Sequence, residues 1–286
     1  MQRLLLVVLA ACCLAVQAAA GESLRIGGSG STLGTARALG AHFVRENPEI
    51  GVQILPNLGS AGALKALAAG QLEIALVSRM PAVPALKPEE LALGLKAFEY
   101  GRTPFVLVTS RTDLNSITLA DAVEIVAGNK TRWPDGNRIR FVLRPPASID
   151  AALLASMSPA MRDAQLAARN RDGMIIGIND QAATSEIERL PGGFGTSTLS
   201  LVRSETRKLN VLALDGVVPS PTSLADGSYR HMKVFYAVSR TEHPVAVGRF
   251  LELLRSATGH RILGENGHWV RDAVHDRAPR GSTKRN

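Results

Sequence analysis

Apolar stretches of strand length alternate with stretches of helical periodicity from residue 24 onward. The first group predicts three strands separated by two helices, at 24–28, 31–46, 51–55, 62–69 and 73–77. Regular alternation of strands and helices indicates an α/β domain built on an open sheet. Ligands of such sheets bind beyond the carboxyl ends of the strands, so a site is expected in the loops that follow them.

A second group of elements begins near residue 104 and is followed by a returning C-terminal segment. It predicts strands at 105–109, 138–143, 174–178, one ending near Leu201, 208–214 and 232–238, with helices at 118–127, 148–157, 159–169 and 244–255. Two such units with a returning segment predict two lobes joined by more than one crossover. We expect lobe 1 to comprise 22–103 plus 228–274, and lobe 2 to comprise 104–227.

The N-terminus predicts a secretory signal peptide at 1–20. Arg3 supplies a positive charge, residues 4–16 are apolar, and three alanines at 18–20 suit cleavage after position 20. The apolar stretch is too short to span a bilayer. An alternative is a lipobox in which Cys12 carries a lipid anchor. Both alternatives export the chain, and the signal peptide predicts the periplasm.

The formal net charge of +8 raises nucleic-acid binding as a possibility. The basic residues are scattered, however, except in the tail at 275–286, whose composition predicts disorder. No zinc-ligand spacing or basic–aromatic strip accompanies them, so we expect no nucleic-acid partner and no metal or cofactor. Both cysteines lie in the leader, which leaves the mature chain without a disulfide. We expect a monomer whose basic charge attracts anions.

Two turns at matching positions carry small polar residues. Gly-Ser-Gly-Ser-Thr at 28–32 and Gly-Ser-Ala-Gly at 59–62 each connect a predicted strand to a predicted helix. A helix N-terminus exposes unpaired N–H groups and a partial positive charge, and glycine allows an anion to approach the backbone. Either turn alone is equally consistent with an ordinary capped helix. Both together favour an anion site.

Two arginines strengthen this interpretation. Arg79 follows the third strand, and Arg144 ends the strand at 138–143 shortly before Ser148 opens a helix. Arginine presents a fork of N–H donors that suits phosphate or carboxylate. The alternative is that both are surface arginines of a basic protein.

The sequence resembles the phosphate-binding protein of Pst-type ABC importers along nearly the whole mature chain. The matching segments are Gly-Ser-Gly-Ser-Thr at 28–32, Gly-Ser-Ala-Gly at 59–62, Leu-Glu-Ile-Ala-Leu-Val-Ser-Arg at 72–79, the stretch from Thr118 to Trp133, Asp-Gly-Val-Val-Pro at 215–219 and Gly-Ser-Tyr at 227–229. The resemblance implies a two-lobed type II periplasmic-binding-protein fold, α/β, in which each lobe is a mixed sheet flanked by helices. It also implies phosphate bound between the lobes and delivery to an inner-membrane ABC permease.

The resemblance assigns ligand-binding roles to eight residues, which are Ser31, Thr32 and Leu33 in the first turn, Ser60 and Ala61 in the second, Arg79 after the third strand, and Arg144 and Ser148 in lobe 2. Four positions depart from the family pattern. Ala61 replaces a hydroxyl, Arg79 stands where many members have an acid, Ile149 replaces a glycine, and Asp150 replaces a hydroxyl. A carboxylate in an anion cleft needs a partner or a proton, unless it turns away.

The chain carries none of the sequence motifs that would indicate an enzyme. It has no His-Glu-x-x-His, Gly-x-Ser-x-Gly or P-loop pattern, and its histidines are dispersed. We therefore expect an exported solute-binding protein that captures an oxyanion, with phosphate favoured. The alternatives are a binder of molybdate, tungstate, sulfate or phosphonate, or a degenerate binding-protein fold that acts as a sensor or scaffold.

Overall fold

The structure is a computed structural model that describes residues 22–271. The predicted signal peptide with Cys12 and the tail at 275–286 lie outside the described residues. The elements in chain order are β1 (Ser23–Gly28), α1 (Gly30–Glu46), β2 (Gly51–Ile54), α2 (Gly59–Ala68), β3 (Ile74–Arg79), α3 (Pro88–Ala92), β4 (Leu95–Thr109), β5 (Ser116–Ile117), α4 (Leu119–Ala127), β6 (Arg140–Leu143), α5 (Ile149–Ser156), α6 (Pro159–Arg169), β7 (Ile175–Ile176), α7 (Asp180–Arg189), β8 (Gly193–Thr198), α8 (Leu199–Ser204), β9 (Asn210–Val211), β10 (Ala213–Leu214), α9 (Pro221–Ala225), β11 (Met232–Arg240), α10 (Val245–Arg255) and α11 (Ala257–Glu265).

The main sheet is mixed and has the order β2-β1-β3-β11-β4-β8-β6-β7, with β9 paired beside β4. Strands β1, β2 and β3 run parallel, as do β6, β7 and β8. The two central strands, β11 and β4, are antiparallel to each other and to their outer neighbours. The predicted α/β class, with a mixed sheet flanked by helices, is confirmed.

Strand β4 connects the two halves of this sheet. Its N-terminal part pairs with β11, and its last five residues, 105–109, pair with β8. The sequence predicted only that last part, because 95–104 contains Gly101 and Pro104 and lacks a clean apolar alternation. Pairing with β11, which is far away in sequence, makes this stretch a strand.

The buried apolar side chains form clusters that follow the two halves. Two clusters in one half draw on residues from Leu24 to Tyr100 and from Phe235 to Leu263. Two clusters in the other half draw on residues from Phe105 to Tyr229. This distribution supports the predicted division into lobe 1 and lobe 2, whose stated boundaries remain a prediction.

Two predicted strands differ from the structure. The strand expected to end near Leu201 stops at Thr198, because the Thr198 hydroxyl accepts a hydrogen bond from the Leu201 N–H and opens α8. The single strand predicted at 208–214 is divided into β9 and β10. β9 pairs with β4, whereas β10 pairs with β5 in a separate small sheet.

The strand directions bring the ends of both halves to one cleft. The carboxyl ends of β1, β2 and β3 share an edge with the start of β11, because Val234 pairs with Arg79. The ends of β6 and β8 reach the same edge, since β4 pairs Phe105 with Thr198. None of the helices within residues 22–271 combines the length and the apolar character that a membrane span requires.

Candidate functional site

A cavity of about 380 Å³ lies at this edge and is lined from both halves. Its polar and charged lining residues are Ser29, Asn57, Ser60, Ser78 and Arg79 from one half, Arg144, Ser148, Asp150, Asn179 and Asp180 from the other, and Lys233 at the start of β11. Leu58, Ile149 and Ile178 supply the larger apolar lining. The cavity therefore combines cations, carboxylates and hydroxyls with a modest apolar wall.

Ser29 of the first predicted turn lines the cavity, and the three predicted site residues that follow it lie behind the cavity wall. Thr32 is fully buried, and its hydroxyl donates to the Ser29 carbonyl at 2.8 Å. Ser31 is also buried, and its N–H donates to the Asp180 carboxylate at 2.9 Å. Leu33 is 2% exposed. The hydroxyl of Thr32 and the N–H of Ser31 thus have partners within the protein.

The second turn and Arg79 face the cavity directly. The Ser60 hydroxyl accepts from the Ser78 N–H at 3.0 Å, which ties α2 to the end of β3. Ala61 is exposed at the cavity. The Arg79 side chain donates to the Ser78 carbonyl at 3.1 Å and forms no ion pair with any residue of 22–271. Burial lowers the pKa of Arg79, against the opposing charge of Glu90, but the guanidinium remains protonated at neutral pH.

Arg144 occupies the opposite wall and is almost completely buried, with 7% of its side chain exposed. Its Nη2 donates to Asp180 Oδ1 at 2.8 Å, and its Nη1 donates to the Gly177 carbonyl at 3.2 Å. Its Nε lies 3.8 Å from Asp150 Oδ2 and has no hydrogen-bond partner among the described residues. The guanidinium is therefore held mainly by a carboxylate of its own chain.

Asp150 and Lys233 complete a buried ionic cluster. The Lys233 ammonium forms an ion pair with Asp150 and lies 3.6 Å from Asp180 Oδ1. Both Asp150 and Lys233 are nearly inaccessible. Asp150 therefore has charged partners within the protein, because Lys233 and Arg144 both lie close to it. Two cations and two carboxylates make this cluster formally neutral.

Asp180 joins this ionic cluster to the N-terminus of α1. Burial opposes its ionisation, but the charges of Lys233 and Arg144 and the Ser31 N–H together hold the pKa of Asp180 below its usual value. The carboxylate is therefore ionised at neutral pH. It accepts from a helix N–H and from an arginine, which are the donors that the sequence assigned to an external oxyanion.

Gly30 allows this close approach between α1 and α7. A Cβ on Gly30 would lie 2.3 Å from Gln181 Oε1 and 2.7 Å from Asp180 Cβ. Gln181 also accepts from Asn57 Nδ2 at 2.9 Å and donates to the Gly30 carbonyl at 2.8 Å. The glycine of the first turn thus admits side chains from α7 to the backbone of α1.

The structure brings five of the eight predicted site residues to one cavity, namely Ser60, Ala61, Arg79, Arg144 and Ser148. The Ser148 hydroxyl accepts from the Ala151 N–H at 3.1 Å and caps α5. The other three predicted residues, Ser31, Thr32 and Leu33, do not line the cavity. The assignment of all eight as ligand-binding residues remains a prediction.

Sequence reasoning missed Asp180 and Lys233. Asp180 begins α7, a helix that was not predicted although Asn179 is a good N-cap and accepts from the Ala182 N–H. Lys233 lies in an otherwise apolar strand, and a lysine in a buried strand is rare unless it is paired. The presence of Lys233 in an apolar strand was the feature of the sequence that could have indicated a buried ionic partner. The partners of both residues could not be read from local sequence.

A mixed sheet whose strand ends meet at a cleft lined by paired and unpaired charges is the architecture of a type II periplasmic binding protein. Residues 15–258 match the family described as PBP superfamily domain, and the chain belongs to that superfamily. This membership supports the substrate-binding, non-enzymatic role that the sequence predicted. No curated protein matches the sequence.

Several solved structures share the fold. A protein from Clostridium perfringens, described as a phosphate ABC transporter substrate-binding protein and solved with bound phosphate, superposes with a TM-score of 0.70 at 22% identity, over 88% of this chain and 100% of its own. A periplasmic molybdate-binding protein from Azotobacter vinelandii gives 0.61 at 16% identity, over 87% and 100%. An ABC-type phosphate transport receptor from Vibrio cholerae gives 0.59 at 17% identity, also over 87% and 100%. At these identities the likeness establishes the fold.

Proposed function

We propose that the chain is an exported solute-binding protein that captures an oxyanion, with phosphate the first candidate. The observation that carries this proposal is Arg79, a half-buried cation that faces the cavity and has no carboxylate partner within residues 22–271. The α2 N-terminus with Ser60 and the hydroxyl of Ser148 lie around the same cavity. Phosphate is favoured because two of the structural relatives above are phosphate proteins of ABC transport.

Isothermal titration with phosphate, sulfate, molybdate, tungstate and a phosphonate tests this function. We expect phosphate to bind and Arg79→Met to weaken it by about ten- to a hundredfold, the effect of one charge-assisted hydrogen bond. Arg162→Met removes the same charge at an exposed position of α6 that does not line the cavity, and it is the control. Tight binding of another anion with none of phosphate would overturn the choice of phosphate. No binding of any of the five would overturn the oxyanion assignment.

A second function is favoured by one observation. Arg144, the predicted anchor of lobe 2, is already paired with Asp180 and lies close to Asp150. A sensor or scaffold that holds no solute tightly would need no free cation there. In that case the titrations would show no binding, and Arg144→Ala would leave the scaffold function intact while altering stability.

Export and delivery extend the proposal. We infer that the leader directs the chain to the periplasm, that an inner-membrane ABC permease receives the solute, and that the protein acts as a monomer without nucleic acid. Intact-mass spectrometry of the exported protein distinguishes cleavage after Ala20 from lipidation at Cys12. Stimulation of the ATPase of the reconstituted permease by the oxyanion-loaded protein tests delivery, and light scattering tests the monomer.

A further inference from the structure

The Asp180 carboxylate uses the contacts that an oxyanion would need. It accepts from the Ser31 N–H at 2.9 Å and from Arg144 Nη2 at 2.8 Å, with Lys233 Nζ at 3.6 Å. Only 11% of its side chain is exposed, so solvent does little to weaken these interactions. A carboxylate and an oxyanion have the same charge sign and the same kind of acceptor atoms.

The Ser31 N–H and the Arg144 Nη2 cannot form full hydrogen bonds to Asp180 and to an oxyanion at the same time. The N–H of Ser31 is a single donor, and the Arg144 Nη2 is already directed at Asp180. The cluster of Arg144, Lys233, Asp150 and Asp180 is formally neutral. An anion brought beside it would meet two carboxylates as well as two cations.

We propose that Asp180 is a specificity- and affinity-determining residue that acts as an internal competitor, because its carboxylate occupies the Arg144 and α1 donors that would otherwise hold the oxyanion. This inference rests on the proposed function. Unless the solute displaces Asp180, solute binding then depends mainly on Arg79. If the solute does displace Asp180, its affinity is set by how much more strongly it binds to Arg144 and the Ser31 N–H than the Asp180 carboxylate does.

Asp150 provides a charge-matched control. It lies in the same cluster and pairs with Lys233, but its nearest approach to Arg144 is 3.8 Å and it does not contact Ser31. Removal of either carboxylate adds one positive charge to the cavity. Only the removal of Asp180 frees the Ser31 N–H and the Nη2 of Arg144.

The test compares oxyanion affinity in wild type, Asp180→Ala, Asp180→Asn and Asp150→Ala by isothermal titration. We expect Asp180→Ala to bind at least about tenfold more tightly than wild type, the effect of one freed charge-assisted hydrogen bond. Asp180→Asn keeps an acceptor for Ser31 and should gain less. Asp150→Ala should gain no more than about threefold, because the Lys233 ammonium that it frees still has Asp180 at 3.6 Å, and the Ser31 N–H and the Arg144 Nη2 remain bound to Asp180. Asp180→Asn has nearly the same shape as wild type and keeps the test usable if the alanine variant does not fold.

Amide hydrogen exchange supplies a readout that does not require binding. Without added anion, exchange at residues 31–33 should rise in Asp180→Ala and not in Asp150→Ala, because only the first change removes an acceptor from the start of α1. Unchanged exchange at 31–33 would contradict the proposal. So would binding in which Asp180→Ala is no tighter than wild type, and the oxyanion function would survive that result. Absence of binding in every variant would overturn the oxyanion function itself and this inference with it.

Discussion

The two arginines of the cleft differ in what their own chain supplies to them. Arg144 is almost completely buried and has Asp180 at 2.8 Å and Asp150 at 3.8 Å. Arg79 is half-buried, donates to a backbone carbonyl and has no carboxylate partner within residues 22–271. Burial of an unpaired cation is costly, so the deeper arginine requires internal counter-charges. The shallower one keeps enough water to remain available to a solute.

The largest expected effect comes from removing Arg144, the more deeply buried of the two arginines. Arg144→Met should lower the free energy of unfolding by about 3–5 kcal/mol, because it leaves Asp150 and Asp180 with one cation between them. Arg79→Met is the matched control and should cost less than about 1 kcal/mol, since it breaks no ion pair. Urea denaturation measures both changes. Equal costs for the two variants would show that the internal pairing of Arg144 does not matter for stability.

A double variant tests whether the charges act as one cluster. Lys233→Met should also destabilise the protein by a few kcal/mol, because Asp150 loses its closest cation. Addition of Asp150→Asn should recover part of that loss, since the unpaired carboxylate is removed with it. Costs that simply add in the double variant would contradict the proposed coupling.

His268 contrasts with the arginines of the cleft, because burial keeps its imidazole neutral, whereas the buried Arg144 is charged and paired with carboxylates. His268 is buried against Tyr100 and Phe235, and burial lowers its pKa from 6.5 to about 3. Its Nε2 is 2.9 Å from the Thr35 hydroxyl. The unfolded chain binds a proton at His268 below pH 6.5 and the folded chain does not. Stability should therefore fall as the pH drops from 6.5 towards 3, by about 1.4 kcal/mol per pH unit.

The variant His268→Gln isolates this contribution. It removes the titration and should flatten the slope of unfolding free energy by about 1.4 kcal/mol per pH unit between about pH 6 and pH 4. His231 also has a lowered pKa from burial and contributes in both proteins. The lowered pKa of Asp180 stabilises the fold at every pH above the usual range of an aspartate, and that contribution is lost only as the pH falls below that range. An unchanged slope in the variant would contradict the neutral buried state of His268.

The smallest expected effect concerns the hydroxyl on the Arg144 side of the cavity. Ser148→Ala should cost about 1 kcal/mol of stability, because it removes the N-cap of α5. Ser158→Ala is the matched control, since Ser158 caps α6 in the same way through the Met161 N–H. Both should shift the denaturation midpoint alike. Only Ser148→Ala should weaken the binding of the oxyanion, and equal affinities in the two variants would remove Ser148 from the site.

Local patterns predicted the regular elements well. The helix predicted at 159–169 has those bounds in the structure, and the strands predicted at 24–28 and 51–55 are each within one residue at either end. Apolar runs bounded by Gly, Pro and capping residues carry that information. The first ten residues of β4 were missed because their strand conformation depends on β11, which pairs across most of the sequence.

The site was predictable in part for the same reason. Arg79, Arg144 and Ser148 could be found because each follows a recognisable strand, and parallel strand ends meet at one edge. The ionic partners of these residues could not be predicted from the sequence. Asp180 reaches Arg144 and Ser31 only because α7 packs against α1 over Gly30, an approach that depends on the assembled halves. Family resemblance pointed to eight residues, five of which line the cavity, but it gave no sign of an acceptor already inside the protein.

The strand order has a consequence for the timing of folding during synthesis. The buried cluster that includes Leu24 and Tyr100 also requires Phe235 and Phe250, which are made last, whereas the cluster from Phe105 to Tyr229 is contiguous. We expect the second half to fold on its own while the ribosome or export machinery still holds the rest. A chain truncated after Tyr229 should then protect amides of β6 and β8 but not those of β1 and β3. The segment from Leu24 to Tyr100 is synthesised first but completes its core last, so it would need chaperones for longest.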